Sequence, residues 1–391
     1  GSRAPAPVDR MARAQVRLVI GSEAGGQGSL PAFIPGLALA HTFYIEAVRP
    51  LVNVPHAAGL FGEGSEVLGF DQPRSTDHAW GPRLHLLVAD EHVPVVAAAV
   101  EQGLPSEFRG WPVRFFSWQT NSTRHHVEIL TLEEFVQSQL GAEPPGPELP
   151  IATWLALPQQ RLLQVTGGEL FHDGIGRLRR LRAMLAWYPR DVWLWAMASQ
   201  WHLIGNAEPR IGRAIEAGDR RGCVLIAARL VRLLMELAFL QERRYWPYEK
   251  WFGTAFSRLQ IAAALGPQLD AVLSAQDGPV REHALHRALA LLAEQHNRLG
   301  LTPHVAATVS QFRVGINNAI RPYLVFNAGE FAAACRSAIG HGALRELVTV
   351  GTFDQLTHAD DALVNFTRWP EQLADSYARL LGSRAGGQQN A

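Results

Sequence analysis

A glycine-serine pair that leads to a carboxylate is the part of this chain best suited to chemistry. Gly64 and Ser65 open a short polar connection to Asp77, and Arg74 and Ser75 stand just before that acid. Glycine lets the backbone approach a phosphate closely, while backbone N–H groups and a serine hydroxyl donate hydrogen bonds to phosphate oxygens. A carboxylate that opens the following strand can hold a hard cation such as Mg2+. This order and spacing favour a triphosphate site over a surface hairpin.

Two further positions bear on metal binding. Residues two apart on a strand share a face, so an acid at position 79 would join Asp77, but the chain has Ala79 there. Glu128 lies in the apolar, β-rich run 125–130, where a carboxylate is costly to bury unless it is paired or bound to metal. We therefore predict that Asp77 and Glu128 bind Mg2+, with the general base as the other role open to Glu128. The alternative for Glu128 is a strand-edge position that faces water.

These residues resemble the nucleotidyltransferase superfamily that includes DNA polymerase beta and the kanamycin nucleotidyltransferases. The superfamily pattern is Gly-Ser, a short connection, Asp-x-Asp or Asp-x-Glu, and a third acid on a later strand. The chain is also similar to an uncharacterised bacterial nucleotidyltransferase-like family. The motif of that family, Ser-x-Asp-His-Asp-Trp-Gly-Pro-Arg, matches residues 75–83 except at Ala79, and its Pro-Tyr-x-Lys-Trp segment matches residues 247–251.

The resemblance implies an enzyme that uses Mg2+ to transfer a nucleoside monophosphate to a hydroxyl or amine of a small-molecule acceptor. The expected donor is ATP, which would give up AMP. A transferase that modifies a partner protein is an alternative.

The resemblance also implies a metal-binding aspartate at position 79, and its loss should slow transfer severely. One explanation for Ala79 is a natural, catalytically inactive nucleotide sensor or interaction protein. The other is a deliberate change. The intact surroundings of Ala79 favour the deliberate change, and so does the leading Gly1-Ser2 pair, which is typical of tag removal.

The second half of the chain offers basic groups for the phosphates. Lys250 is the single lysine beside 35 arginines, and it lies with Tyr248 in the matched segment 247–251. A compact ammonium in an arginine-rich chain favours a triphosphate contact, and the alternative is a lysine stem packed on Trp251. Arg213 stands near an expected helix start in a stretch with an excess of basic residues. The residues predicted to contact the nucleotide are Gly64, Ser65, Arg74, Ser75, Arg213, Tyr248 and Lys250.

Composition argues against several classes of protein. The formal net charge is zero and the pI is about 7.4, so no overall basic field predicts a nucleic-acid partner. Two cysteines, Cys223 and Cys335, give no disulfide framework, which favours a reducing, cytoplasmic location. The most apolar run, 223–240, contains Arg229, Arg232 and Glu236, so we expect a bundle helix there and no membrane partner.

The order of elements predicts an α+β fold, in which a domain with a small mixed β-sheet is followed by a largely α-helical region. Strands are expected at 57–61, from Asp77 through Val88, and at 113–118 and 125–130. Apolar residues spaced three and four positions apart predict the helices 177–187, 192–204, 222–242, 252–265 and 282–299. With the proline-rich stretch 141–150 as a linker, the predicted divisions are a flexible lead (1–30), a nucleotidyltransferase-like domain (31–141), a helical domain (150–300), a C-terminal helical segment (301–382) and a disordered tail (383–391).

Overall fold

The structure of the 391-residue chain is a computed structural model. It describes residues 31–77, 80–117, 120–141, 149–313, 319–358, 363–364 and 368–385. The predicted flexible lead 1–30 lies outside the described residues, and so do His78, Ala79 and residues 386–391 of the predicted tail.

The strands of the described residues form one larger sheet and two hairpins. The strands are β1 (Ala57–Leu60), β2 (Arg83–Leu87), β3 (Glu107–Phe108), β4 (Trp111–Pro112), β5 (Arg114–Ser117), β6 (Ser122–Leu130), β7 (Glu169–Asp173), β8 (Val309–Arg313) and β9 (Ile320–Phe326). Five of them make a mixed sheet in the order β5-β6-β2-β1-β7. In this sheet β2 and β6 are parallel, whereas the other neighbours are antiparallel.

Much of the remaining chain is helical. Three helices accompany the first strands: α1 (Gly36–Phe43), α2 (Val93–Gly103) and α3 (Leu132–Leu140). The later helices are α4 (Ile151–Ala156), α5 (Gln159–Thr166), α6 (Arg177–Leu185), α7 (Arg190–Glu216), α8 (Arg220–Gln241), α9 (Glu249–Phe256), α10 (Ala262–Ser274), α11 (Gly278–Arg298), α12 (Ala328–Ser337), α13 (Gly342–Glu346), α14 (Phe353–Thr357) and α15 (Trp369–Ala385).

The two faces of the sheet pack against different partners because side chains alternate along each strand. Ala58, Leu84 and Val127 point to one face and join the hydrophobic core that α1 and α2 cover. Ala57 and Leu87 point to the other face and join the large core of the helical region. The polar residues on this second face therefore lie toward the helices.

The helical region is organised around α7 and α8. Trp195 and Trp201 on α7 are fully buried and anchor its core. The turn between the two helices is closed by Asp219, whose carboxylate accepts a hydrogen bond from the Gly222 N–H at 2.9 Å and caps α8. This packing gives α9 and α10 a fixed platform beside the sheet.

The fold is mixed α/β, as the sequence indicates, but the expected element order needs three corrections. The short strand β7 comes after the proline-rich stretch, yet it pairs antiparallel with β1 and completes the sheet. The hairpin β8–β9 lies across the start of the segment predicted to be mainly helical. The predicted helix 252–265 is two helices, α9 and α10. Strand β7 has only a weak signal in the sequence, because it is partly buried and its ends are charged. The domain boundaries stay predictions.

Among the described residues, no helix has both the length and the apolar character needed to cross a bilayer.

Candidate functional site

Gly64 and Ser65 lie in a compact turn of residues 62–70, directly after β1. Three glycines of this turn have positive φ angles, and that of Gly64 is +130°. The Phe70 N–H donates to the Ser65 carbonyl at 2.8 Å, which closes the turn. A Cβ at position 64 would lie 2.5 Å from Nη2 of Arg83, so only glycine fits. The tight, glycine-dependent turn predicted from the sequence is therefore present.

The turn folds around the guanidinium of Arg83, which is the first residue of β2. Arg83 Nε donates to Glu66 Oε1 at 2.8 Å, and Arg83 Nη2 also donates to the Glu63 carbonyl. Only 4% of the Glu66 side chain and 17% of the Arg83 side chain are exposed. This buried ion pair ties the turn to the start of a central strand and places both charged groups beneath Gly64.

Backbone hydrogen bonds fasten the turn to the helical region. The Gly62 N–H donates to the Gln164 carbonyl at 2.8 Å, and the Gly168 N–H donates to the Val67 carbonyl at 2.9 Å. On the other side Asp71 accepts hydrogen bonds from the Gly36 N–H and the Trp80 indole. The turn is thus held from both sides, which pre-organises its backbone.

Asp77 does not open a strand, which corrects the prediction. It is the last residue of a 3-10 turn, Pro73–Asp77, and β2 begins only at Arg83. Gly81, at φ +155°, and Pro82, which lacks an N–H, separate the acid from the strand. Because Asp77 is not on a strand, it cannot share a strand face with position 79 as expected. Ala79 lies outside the described residues.

Arg74 and Ser75 shape this 3-10 turn. The Ser75 hydroxyl oxygen accepts a hydrogen bond from the Gln72 N–H at 3.0 Å. Arg74 is almost fully exposed, and its Nε lies 3.9 Å from Asp77 Oδ2. Both residues are close to Asp77 in space, and their predicted contacts with a nucleotide stay predictions.

Glu128 lies on β6, on the sheet face that looks toward the helical region. Its backbone pairs with His85 on the parallel strand β2, and Arg83 pairs with His126. Paired residues of neighbouring strands point to the same side, so these four side chains form a polar row. Arg124 donates a hydrogen bond to Glu128 Oε1, and the Glu128 side chain is one-third exposed. Strand β2 pairs with β6 at Glu128, whereas β5 pairs only with residues 122–125, so Glu128 has a paired strand on one side and the water-facing alternative stays open.

His85 is the most deeply buried member of the row. It packs against Phe61 and Phe135, with ring centroids 6.0 and 5.4 Å away. Burial, assisted by the positive charge of Arg83, lowers the pKa of His85 to about 3, so the imidazole is neutral at physiological pH. Its Nδ1 has no hydrogen-bond partner among the described residues. His85 is therefore a buried, neutral aromatic group that packs edge-on against Phe135.

The matched segment 247–251 reaches the turn from the helical side. Trp251 stacks on Phe70, with ring centroids 5.4 Å apart and planes 23° apart. Lys250 Nζ lies 5.0 Å from the centroid of the Trp251 ring, which is the packing alternative considered for this lysine. Tyr248 directly precedes α9, and its N–H donates to Gln160 Oε1 at 3.1 Å. The fold thus brings Trp251 against Phe70 at the end of the 62–70 turn, with Lys250 over the Trp251 ring.

Arg213 contacts a different part of the molecule. It lies in the last turn of α7, so its expected place near a helix start is wrong. Its guanidinium covers the ring of Phe312 on β8, 5.5 Å from the centroid. The contacts of Arg213 therefore tie α7 to the β8–β9 hairpin, and a nucleotide contact stays a prediction.

The chemistry of the acids suits Mg2+, since both Asp77 and Glu128 offer hard carboxylate oxygens. Within the part of the chain that the structure describes, no group of three or more His, Cys, Asp or Glu side chains is arranged to hold a metal ion. Arg124 occupies Oε1 of Glu128, so a metal bound at that oxygen would compete with Arg124. Binding of Mg2+ by Asp77 and Glu128 stays a prediction, and position 79 lies outside the described residues.

A cavity of about 550 Å³ lies at the opposite end of the sheet. It is lined by residues at the ends of β2 and β6, including Leu87 and Thr131, and by Asp173 and Arg177. Arg177 pairs there with Glu133 at 2.5 Å and lowers the pKa of that carboxyl. Because the 62–70 turn adjoins the start of β2, this cavity is separate from the candidate site.

Sequence reasoning missed the residues that hold the turn. Glu66 and Arg83 are 17 positions apart, and Phe70 and Trp251 belong to different halves of the chain. No periodicity or spacing links such pairs. The available signal was weaker: Arg83 and Trp251 both fall inside the matched motifs.

Comparisons with known proteins give a limited match. A family described as Domain of unknown function (DUF4037) matches residues 154–252, which contain Tyr248, Lys250 and Trp251. No curated protein matches the chain at a significant level. Among solved structures, the chain is similar to a nucleotidyltransferase-like protein from Exiguobacterium sibiricum, with 12% identity and a TM-score of 0.29 over 74% of this chain and 98% of that chain. This distant likeness carries no argument about the fold or the site.

Proposed function

We propose that this protein binds a nucleoside triphosphate at the 62–70 turn and belongs to an enzyme type that transfers a nucleoside monophosphate to a small-molecule acceptor. The observation that carries the proposal is the turn itself. Gly64 has a left-handed backbone over the Arg83 guanidinium, and Ser65 follows it. A half-buried glycine-serine turn can present backbone and hydroxyl donors to phosphate oxygens.

In this proposal the turn, the helical region and the two acids contact different parts of the bound triphosphate and its metal. The 62–70 turn binds the phosphates, and Lys250 adds positive charge from the helical side. Asp77 and Glu128 would hold Mg2+, which neutralises developing charge and orients the phosphates when bound. Glu128 could instead take the proton from an acceptor hydroxyl or amine. In either role Arg124 lies beside the carboxylate, since it already bonds Glu128 Oε1.

The test is a comparison of the chain with its Ala79→Asp variant. ATP with Mg2+ is supplied to both, and binding and pyrophosphate release in the presence of candidate hydroxyl and amine acceptors are measured. We expect both chains to bind ATP and only the Ala79→Asp variant to turn over appreciably. Adding Asp77→Asn to that variant should abolish turnover again. Failure of both chains to bind any nucleoside triphosphate would refute the proposal.

Ala79 favours one second candidate, a nucleotide sensor without catalysis. In that case the Ala79→Asp variant binds ATP but releases no pyrophosphate with any acceptor. Incubation of the variant with labelled ATP and a cell lysate separates the remaining alternative, because only a protein-modifying transferase would give a labelled protein band.

A further inference from the structure

Arg258, in the short connection between α9 and α10, makes two contacts with the 62–70 turn. Its Nη2 donates to the Gly69 carbonyl at 2.9 Å. Its guanidinium carbon lies 4.1 Å from the centroid of the Phe70 ring, which is a close cation–π contact. The two contacts engage neighbouring residues at the end of the turn, so Arg258 fixes both its backbone and its side chain.

Phe70 carries this contact into α9. It is 8% exposed and stacks on Trp251, whose ring in turn lies under Lys250 Nζ. Arg258, Phe70, Trp251 and Lys250 therefore form a continuous series of cation and aromatic groups. Two of its members lie in the matched segment 247–251, and one lies in the turn.

The other hydrogen bonds of the turn with the rest of the protein lie at Gly62, Glu63, Glu66 and Val67, and at Asp71 just after it. At the end of the turn the Gly69 and Phe70 N–H groups donate within the turn, to the Glu66 and Ser65 carbonyls. Gly69 has a φ of +67° and is exposed. Arg258 holds this end of the turn from the helical region.

We propose that Arg258 is a positioning residue that fixes the end of the 62–70 turn against α9, so that the turn and Lys250 face the same bound triphosphate. The proposal rests on the proposed function for the identity of the ligand. The positioning itself is independent of the ligand, since it concerns the free protein. Arg258 acts through the turn, and its guanidinium is already occupied by Gly69 and Phe70.

The experiment compares Arg258→Ala, Arg258→Lys and a matched control, Arg243→Ala. Arg243 is also exposed and also covers an aromatic ring, that of Trp193 at 5.4 Å, but it has no contact with the turn. Amide hydrogen exchange of residues 62–70 is measured without nucleotide, and the dissociation constant of ATP with Mg2+ is measured by titration. The thermal midpoint of each variant reports on overall folding.

We expect Arg258→Ala to speed exchange in residues 62–70 and to weaken ATP binding by about five- to tenfold, the size of one cation–π contact with one hydrogen bond. Arg258→Lys should restore most of the exchange protection and most of the ATP affinity, because an ammonium can contact the Gly69 carbonyl or the Phe70 ring. Arg243→Ala should change neither. Unchanged exchange in Arg258→Ala would overturn the proposal. If exchange increases but the unaltered chain binds no nucleoside triphosphate, the positioning stands and the proposed function fails.

Discussion

Glu66 and Arg83 form a buried ion pair directly beneath Gly64, with 2.8 Å between Arg83 Nε and Glu66 Oε1. The pair connects the glycine-serine turn to the first residue of a central strand. Glu66, a residue of the turn itself, thus anchors the turn to the sheet through Arg83.

Removal of Arg83 should therefore destabilise the protein strongly. Arg83→Ala leaves the Glu66 carboxylate buried without its partner, which typically costs about 3–5 kcal/mol. The control is Arg109→Ala, which breaks the ion pair with Glu46, where both side chains are about half exposed. That change should cost at most about 1 kcal/mol. Urea unfolding measures both free energies, and equal losses would contradict the role of the buried pair.

Gly64→Ala should damage the turn for a steric reason. A methyl group at a φ of +130° is strained, and it would lie 2.5 Å from Arg83 Nη2. We expect a loss of about 1–3 kcal/mol in the free energy of unfolding, together with weaker ATP binding. Gly329→Ala is the matched control, because this helical glycine has nothing within 4 Å of the added methyl. The control should be neutral or stabilising by up to about 1 kcal/mol.

His85 should make the protein sensitive to acid. Its pKa is lowered to about 3 by burial, whereas the unfolded chain has an ordinary histidine near 6.5. Below pH 6.5 the unfolded state binds the extra proton, so stability falls by up to about 1.4 kcal/mol per pH unit as the pH drops toward 3. His85→Gln lacks this titration, so the difference in free energy of unfolding between the two proteins should change by up to about 1.4 kcal/mol per pH unit below pH 6.5. Parallel stability curves from pH 7 to pH 4.5 would show that His85 is not buried as a neutral ring.

Asp354 should produce the opposite slope. It is fully buried beneath Gln159, whose N–H donates to its Oδ2 at 2.8 Å, and burial raises the pKa of Asp354 to about 7. Nearby Glu236 raises this pKa further, while Arg232 lowers it. The folded protein therefore holds a proton that the unfolded chain releases near pH 3.8. The stability that this proton contributes is fully present below pH 3.8 and is lost as pH rises to 7.

Asp354→Asn isolates this effect, because asparagine keeps the acceptor and cannot ionise. Urea unfolding at several pH values should show the variant gaining stability over the unaltered protein by up to about 1.4 kcal/mol per pH unit between pH 4 and pH 7. A constant difference across this range would mean that Asp354 ionises normally in the folded state.

Local features of the fold were predictable from the sequence, and long-range ones were not. The helix at α2 follows from Pro94 in its first turn and the apolar run behind it. Strand β6 follows from its β-branched and apolar residues. The strand expected from Asp77 fails because Gly81 and Pro82 delay the start of β2 to Arg83. Strand β7 was missed because it forms by pairing with β1, which is far away in the sequence and comes close only in the folded protein.

The sequence by itself determined the glycine-dependent turn, the mixed α/β character and the segment 247–251 as a place to look, because these depend on residue types and short spacings. Only the tertiary structure decided that Arg83 lies under Gly64, that Trp251 and Arg258 meet Phe70, and that Arg213 serves a different hairpin. Such pairings depend on how sheet and helices pack. Burial and charge compensation select them over distances along the chain that no local pattern records.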